Sequence, residues 1–269
     1  MTRLITMHTH SSFCNHATDP LPAMVDAARA AGISAMACTE HYPIPDELDP
    51  TKHSTMPAER LPRYIEAVRE QQRLHDDIDI LLGCELDWLG MPDPRGISAA
   101  DFEQFDIMLG SVHFVDGVLV NGSRSRAMWE KSDVDAVWLR YIDLWCDAAR
   151  SDLPFTVMAH PDVVKRLGYR PSFDLEPHYE RMAQAAAEGG RMIEVNTSGL
   201  YHECAELYPA PGLLRAFRRA GVAATVGTDA HAAKHIARGI GEAYDALRAA
   251  GYTRLAVPQR GGTVTFEYL

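Results

Sequence analysis

Along this chain an apolar run of strand length repeatedly ends in a histidine or an acid and is followed by a segment of helical periodicity, about seven times between residues 4 and 250. Alternation of that kind restricts the fold to α/β classes built on a parallel sheet. The first run ends at His8 and His10. The later ones are 33–39, delivering Glu40 and His41; 78–86, with Glu85; 105–113, with His113; and 155–162, with His160. The last two are 191–199, with Glu194 and Asn196, and 222–231, with Asp229 and His231. Helices are expected over 22–31, 58–75, 134–150, 175–188, 212–220 and 235–250. The helix at 134–150 is the clearest, because Val134, Val137, Trp138, Tyr141, Trp145 and Ala148 fall on one stripe.

The polar ends decide between architectures. A doubly wound sheet spreads its strand ends along an edge. A closed parallel barrel gathers them around one mouth, where barrel enzymes build their sites. A barrel occupying residues 1–269 as a single unit is therefore expected, and 46% hydrophobic with 23% charged residues suits one large α/β core.

Composition removes several classes of function. A formal charge of −11 argues against nucleic acid as a partner. No apolar run approaches the roughly 20 residues that span a bilayer, and the N-terminus lacks a signal-peptide core, so a cytoplasmic protein without a membrane partner is expected. Five cysteines, Cys14, Cys38, Cys84, Cys146 and Cys204, include no C-x-x-C pair and read as buried small hydrophobes. Nothing in the sequence sets the oligomeric state.

What remains is a metal centre. His8 and His10 alternate on an extended segment, so both imidazoles point to one face just beyond the strand. With His16, His41, Glu85, His113, His160, Asp229 and His231 they make nine candidate ligands. Tetrahedral zinc takes three or four, so nine suit a cluster of two to three divalent ions with one bridging carboxylate, for which Glu85 is chosen. Mixed imidazole and carboxylate ligation admits Zn, Mn, Fe or Co. Glu85, Asp229 and His231 are assigned to the catalytic centre. Such a cluster suits hydrolysis of a small-molecule phosphate ester, whose phosphoryl oxygens also need cationic donors. Lys165 and Arg166, shortly after His160, are expected to reach the mouth, with Arg124 and Arg126 as further candidates. Glu40, Asn196 and His202 are placed on the substrate side: Glu40 or Asp46 to face a cationic group on the substrate, and His202, Glu40 or a metal-bound water to protonate the leaving oxygen. His53, His75, His178 and His202 are read as lying in surface helices or loops, and His235 as closest to joining the site.

The set H-T-H with His16, T-E-H at 39–41, the Glu85 strand, G-S-V-H-F at 110–114, A-H-P-D followed by K-R, E-V-N-T-S-G-L at 194–200 and G-T-D-A-H at 227–231 resembles the polymerase and histidinol phosphatase (PHP) family, closest to its histidinol-phosphatase branch. The resemblance implies a distorted (β/α)7 TIM-like barrel with a trinuclear site. His8, His10, Glu85 and Asp229 would hold one ion, His16, His41 and His231 a second, and Glu85, His113 and His160 a third. It also implies hydrolysis of L-histidinol phosphate, a late step of histidine biosynthesis, by a metal-bridging hydroxide. Two positions depart from the pattern. Tyr201 stands where related phosphatases often carry Arg, and Glu40 where many carry Asp.

Overall fold

The computed structural model describes residues 3–51 and 53–269, with the side chain of Ser123 outside that set. Seven parallel strands form one sheet in the order β1 (Leu4–Thr6), β2 (Ile33–His41), β3 (Asp79–Asp87), β4 (Ile107–Ser111), β7 (Val157–Met158), β8 (Met192–Asn196) and β9 (Ala224–Gly227). Between β4 and β7 lies a small antiparallel hairpin, β5 (Phe114–Val115) and β6 (Val118–Leu119). The sheet curls until its first and last strands meet. Met7 N–H donates to Val226 O at 2.8 Å, Asp229 N–H to His8 O at 2.9 Å and His10 N–H to Ala230 O at 2.9 Å. Seven strands closed in this way make a distorted TIM-like barrel, as the strand-end pattern predicts.

The helices run α1 (Leu21–Ala30), α2 (Leu61–Leu74), α3 (Arg126–Trp129), α4 (Val134–Arg150), α5 (Glu176–Glu188), α6 (Pro211–Arg219) and α7 (Ile240–Ala249). Proline in the first turn of α1, α2, α5 and α6 starts them where a missing N–H costs nothing. The Asp133 carboxylate caps α4 by accepting from Asp135 N and Ala136 N. That helix buries Trp138, Tyr141 and Trp145, as its stripe requires. On α2, Tyr64 packs inward and donates its hydroxyl to the strand carbonyls of Cys38 at 2.6 Å or Gly83 at 2.7 Å, which ties helix to sheet. All five cysteines are buried and free.

Some boundaries differ from expectation. The strand predicted over 155–162 is only Val157–Met158, because the chain leaves the sheet at His160, whose φ is 24°. The last helix starts at Ile240, and His235 sits in a preceding 3-10 turn. The tail pairs with a strand that its sequence did not announce: β10 (Arg254–Pro258) and β11 (Val264–Tyr268) form an antiparallel hairpin. Arg3 tethers it, reaching Glu267 Oε1 at 3.0 Å and Asp79 Oδ2 at 2.8 Å. Among the described residues no helix is long and apolar enough to cross a membrane.

Candidate metal centre

All nine expected ligands converge at the carboxyl end of the barrel, around Glu85 near the end of β3. Four donor atoms enclose one point. His8 Nε2 lies 3.0 Å from His10 Nε2, 3.2 Å from Glu85 Oε2 and 3.7 Å from Asp229 Oδ1. His10 Nε2 lies 3.3 Å from each of those two oxygens. Ligand atoms around tetrahedral zinc stand about 3.3 Å apart, given bonds near 2.0 Å. The other oxygen of Glu85 faces a second group: Oε1 is 2.9 Å from His160 Nε2 and 3.5 Å from His113 Nε2, which are 3.2 Å from each other. A third group joins His16 Nε2 to His231 Nε2 at 2.9 Å, with the rings of His41 and His231 stacked on His10 at 4.3 and 4.2 Å. His41 Nδ1 lies 3.0 Å from Glu85 Oε2 but has no aligned hydrogen bond.

The far nitrogens explain why these contacts suit cations. His8 donates Nδ1–H to Glu194 Oε1 at 2.9 Å and His113 to Asp87 Oδ1 at 2.8 Å. His16 donates to His53 O at 2.9 Å and His231 to Asp229 O at 3.0 Å. A proton held on Nδ1 leaves a lone pair on Nε2, as in metal-ligating histidines oriented by a carboxylate or carbonyl. In His16 and His231 two such lone pairs then meet head to head. They repel unless a cation or an extra proton lies between them. The donor set therefore fits divalent metal, and Asp87 and Glu194, which sequence reasoning did not assign, orient two of the ligands. Asp87 carried a readable signal, since it lies two residues after Glu85 on the same strand face.

The charges fit as well. Burial alone would raise the Glu85 carboxyl, but His41, His8 and His113 hold it well below the usual carboxylate range. Asp229, also pushed up by burial, is held down chiefly by His8 and His10. His160 and Asp229 both adopt positive φ, 24° and 51°. For non-glycine residues such backbone is strained and collects at functional sites. Gly227 ends β9 under the cluster, where any Cβ would collide with the Glu194 carboxylate.

A cavity of about 480 Å³ opens above the cluster, lined by His16, His41, Glu85, His113, His160, Asp229 and His231. Arg166, Arg124, His202 and His235 also line it, as does His53, a surface residue as expected, at its rim. His202 is held down to about 4 by burial and by Arg166, so it is neutral at pH 7 and poorly suited to donate a proton.

Four substrate-side expectations need correction. Lys165 does not reach the mouth. It is fully buried, its ammonium 2.8 Å from Asp162 Oδ2, 3.0 Å from Glu206 Oε2 and 2.8 Å from Leu207 O. Glu40 is also buried and points into the first loop, accepting from Ser11 N and Oγ, both at 2.6 Å, and from Cys14 N at 3.2 Å. Asn196, with no exposed surface, braces Glu194 at 3.0 Å and accepts from Ser198 N at 2.9 Å. Arg126 pairs with Glu203 outside the cavity lining. Lys165→Ala is thus expected to destabilise the fold by about 3–5 kcal/mol, since it leaves Asp162 buried without its countercharge. KM should stay within about twofold of wild type; urea melts and steady-state kinetics check both. A large rise in KM at unchanged stability would restore Lys165 to the mouth.

The family model described as PHP domain matches residues 6–198. A Deinococcus radiodurans protein named "Probable histidinol-phosphatase" is 31% identical over 270 residues, covering 100% of this chain and 98% of that protein. A Schizosaccharomyces pombe protein of the same name is 24% identical, over 96% of this chain and 90% of its own. Among solved structures, the histidinol phosphate phosphatase of Lactococcus lactis complexed with zinc, L-histidinol and phosphate shares the fold, with a TM-score of 0.78 at 23% identity, covering 98% of this chain and 99% of that one. Matched by the family model over most of its length and by a named relative over all of it, the chain belongs to the PHP domain family.

Proposed function

We propose that this chain is a metal-dependent phosphomonoesterase that hydrolyses L-histidinol phosphate to L-histidinol and phosphate, with residues 1–269 acting as one catalytic unit. The observation that carries the reading is the pair of donor groups divided between the two oxygens of Glu85: His8, His10 and Asp229 on one side, His113 and His160 on the other. In this reading those groups, with His16, His41 and His231, hold two to three divalent ions of Zn, Mn or Fe. Bound there, the ions supply Lewis acidity toward the phosphoryl oxygens and make water acidic enough to attack near neutral pH.

The chain's own residues do the rest. Asp87 and Glu194 fix the imidazole tautomers. The guanidinium of Arg166, with no carboxylate within ion-pair distance among the described residues, lines the cavity where the phosphoryl oxygens would lie. The substrate assignment is supported by the full-length relatives and by the lining itself. Imidazole, guanidinium and carboxylate dominate it, and Phe114, Leu119 and Val163 are too few to grip a phosphotyrosyl ring.

Phosphate release from metal-loaded protein tests the assignment. L-histidinol phosphate should exceed p-nitrophenyl phosphate and a phosphotyrosyl peptide in kcat/KM by at least about a hundredfold. Equal or better turnover of either competitor would move the substrate elsewhere while leaving a phosphoesterase.

A further inference from the structure

Above the cluster, two loops that come from distant parts of the sequence are fastened together. Thr197 donates its hydroxyl to Arg238 O at 2.7 Å, and Gly239, at φ +75°, lets the backbone turn so tightly that a Cβ there would lie 2.8 Å from Thr197 Cβ. The fastening sets the Arg238 guanidinium 4.5 Å from the centroid of the Tyr201 ring. Stacking on an aromatic face fixes where a guanidinium points without neutralising it. Arg238 lines the same cavity as Arg166 and the metal-binding cluster, and its Nε is buried without a hydrogen-bond partner. Neither of these half-buried arginines has a carboxylate within ion-pair distance among the described residues, although the chain carries 37 acids and the buried Lys165 is fully paired. Two unpaired guanidiniums facing one cavity repel each other, and the cost is recovered when an anion lies between them.

We propose that Arg238, seated on the face of Tyr201, is a phosphoryl-binding residue that acts with Arg166 to hold the non-bridging oxygens of a phosphate monoester dianion. Tyr201 is then a positioning residue that touches the guanidinium and not the substrate. The proposal rests on the phosphoesterase reading above but not on the identity of the alcohol.

The test uses metal-loaded full-length protein, p-nitrophenyl phosphate as substrate and inorganic phosphate as the ligand in calorimetry. Arg238→Ala should raise KM and weaken phosphate binding by about 10- to 100-fold, the range for losing a charge-assisted pair of hydrogen bonds. Arg238→Lys should recover part of that, keeping the charge but not the planar fork. Tyr201→Ala should weaken phosphate by about 3- to 10-fold, and Tyr201→Phe, which keeps the ring, by less than about twofold. Metal content and melting temperature should match wild type throughout. Should Arg238→Ala fail to fold, Arg238→Gln carries the same expectation. Phosphate affinity and KM within twofold of wild type in the alanine or glutamine variant would overturn the proposal. Wild-type protein inert toward histidinol phosphate, with phosphate binding that still depends on Arg238, would remove the substrate assignment and support the guanidinium pair.

Discussion

Glu85→Gln should lower kcat by about a thousandfold or more and leave the purified protein short of divalent metal. The substitution conserves shape, so the barrel should keep its melting behaviour apart from what metal loss removes. What changes is one atom's chemistry. Each oxygen of Glu85 now faces a different set of imidazoles, Oε2 toward His8, His10 and His41 and Oε1 toward His160 and His113, while Ser111 donates its hydroxyl to Oε1 at 2.6 Å. An amide can accept at only one of the two positions. Its NH2 would turn toward ring nitrogens and donate to them, which occupies the lone pairs a cation needs. Both donor groups are damaged at once, unlike a change at His113 or Asp229, which touches one. Elemental analysis beside phosphate release reads the result. Full metal content with kcat within tenfold of wild type would mean that Glu85 does not join the two groups.

The strand ends were legible because the chemistry there defies its surroundings: an acid or imidazole finishing an apolar run has few reasons to exist apart from a site. Lys165 and Arg166 show where such reasoning stops. They are adjacent and equally charged, but the 3-10 turn Val163–Lys165 sends consecutive side chains in directions about 120° apart. Lys165 therefore turns inward to Asp162 and Arg166 toward the cavity, a choice fixed by backbone geometry that charge and spacing do not encode. Glu40 failed for a similar reason. A strand-end acid can face the mouth or the neighbouring loop, and the N–H groups of Ser11 and Cys14 captured it. Arg238 left no signal at all. It lies beyond β9, in the turn before α7 that the sequence reads as the start of a helix, and the tie from Thr197 to its carbonyl holds that turn beside Tyr201. The β10–β11 hairpin was missed because β10 ends in proline and β11, although it alternates Val264, Phe266 and Tyr268 with Thr265 and Glu267, leaves that apolar face exposed instead of packing it on the core.

Stripping metal with a chelator should lower the melting temperature by about 8–16 °C and abolish turnover, with both restored by reloading. Ligand present at a thousand times its dissociation constant stabilises by about 4 kcal/mol, and for a chain of this size each kcal/mol is about 2–4 °C. The difference between loaded and stripped protein should also widen as pH rises from 6 to 9. Burial would lower His8, but Glu194, Glu85 and Asp229 outweigh it and hold the metal-free imidazole up at about 10, above its ordinary value of 6.5. A group raised in this way contributes stability that is complete below pH 6.5 and is lost as pH climbs toward 10. His10 and His113, also raised against burial, act in the same direction. His16, held down to about 3 chiefly by burial, has the opposite sign, and its contribution is lost only on acidification below 6.5. Across pH 6–9 the stripped protein therefore weakens. The loaded protein does not share that loss, because ligating nitrogens must already be deprotonated and higher pH removes their competing protons. Melting curves with and without chelator at pH 6, 7, 8 and 9 measure the separation. A constant or shrinking difference would show that the imidazoles around Glu85 neither hold extra protons without metal nor give them up to bind it.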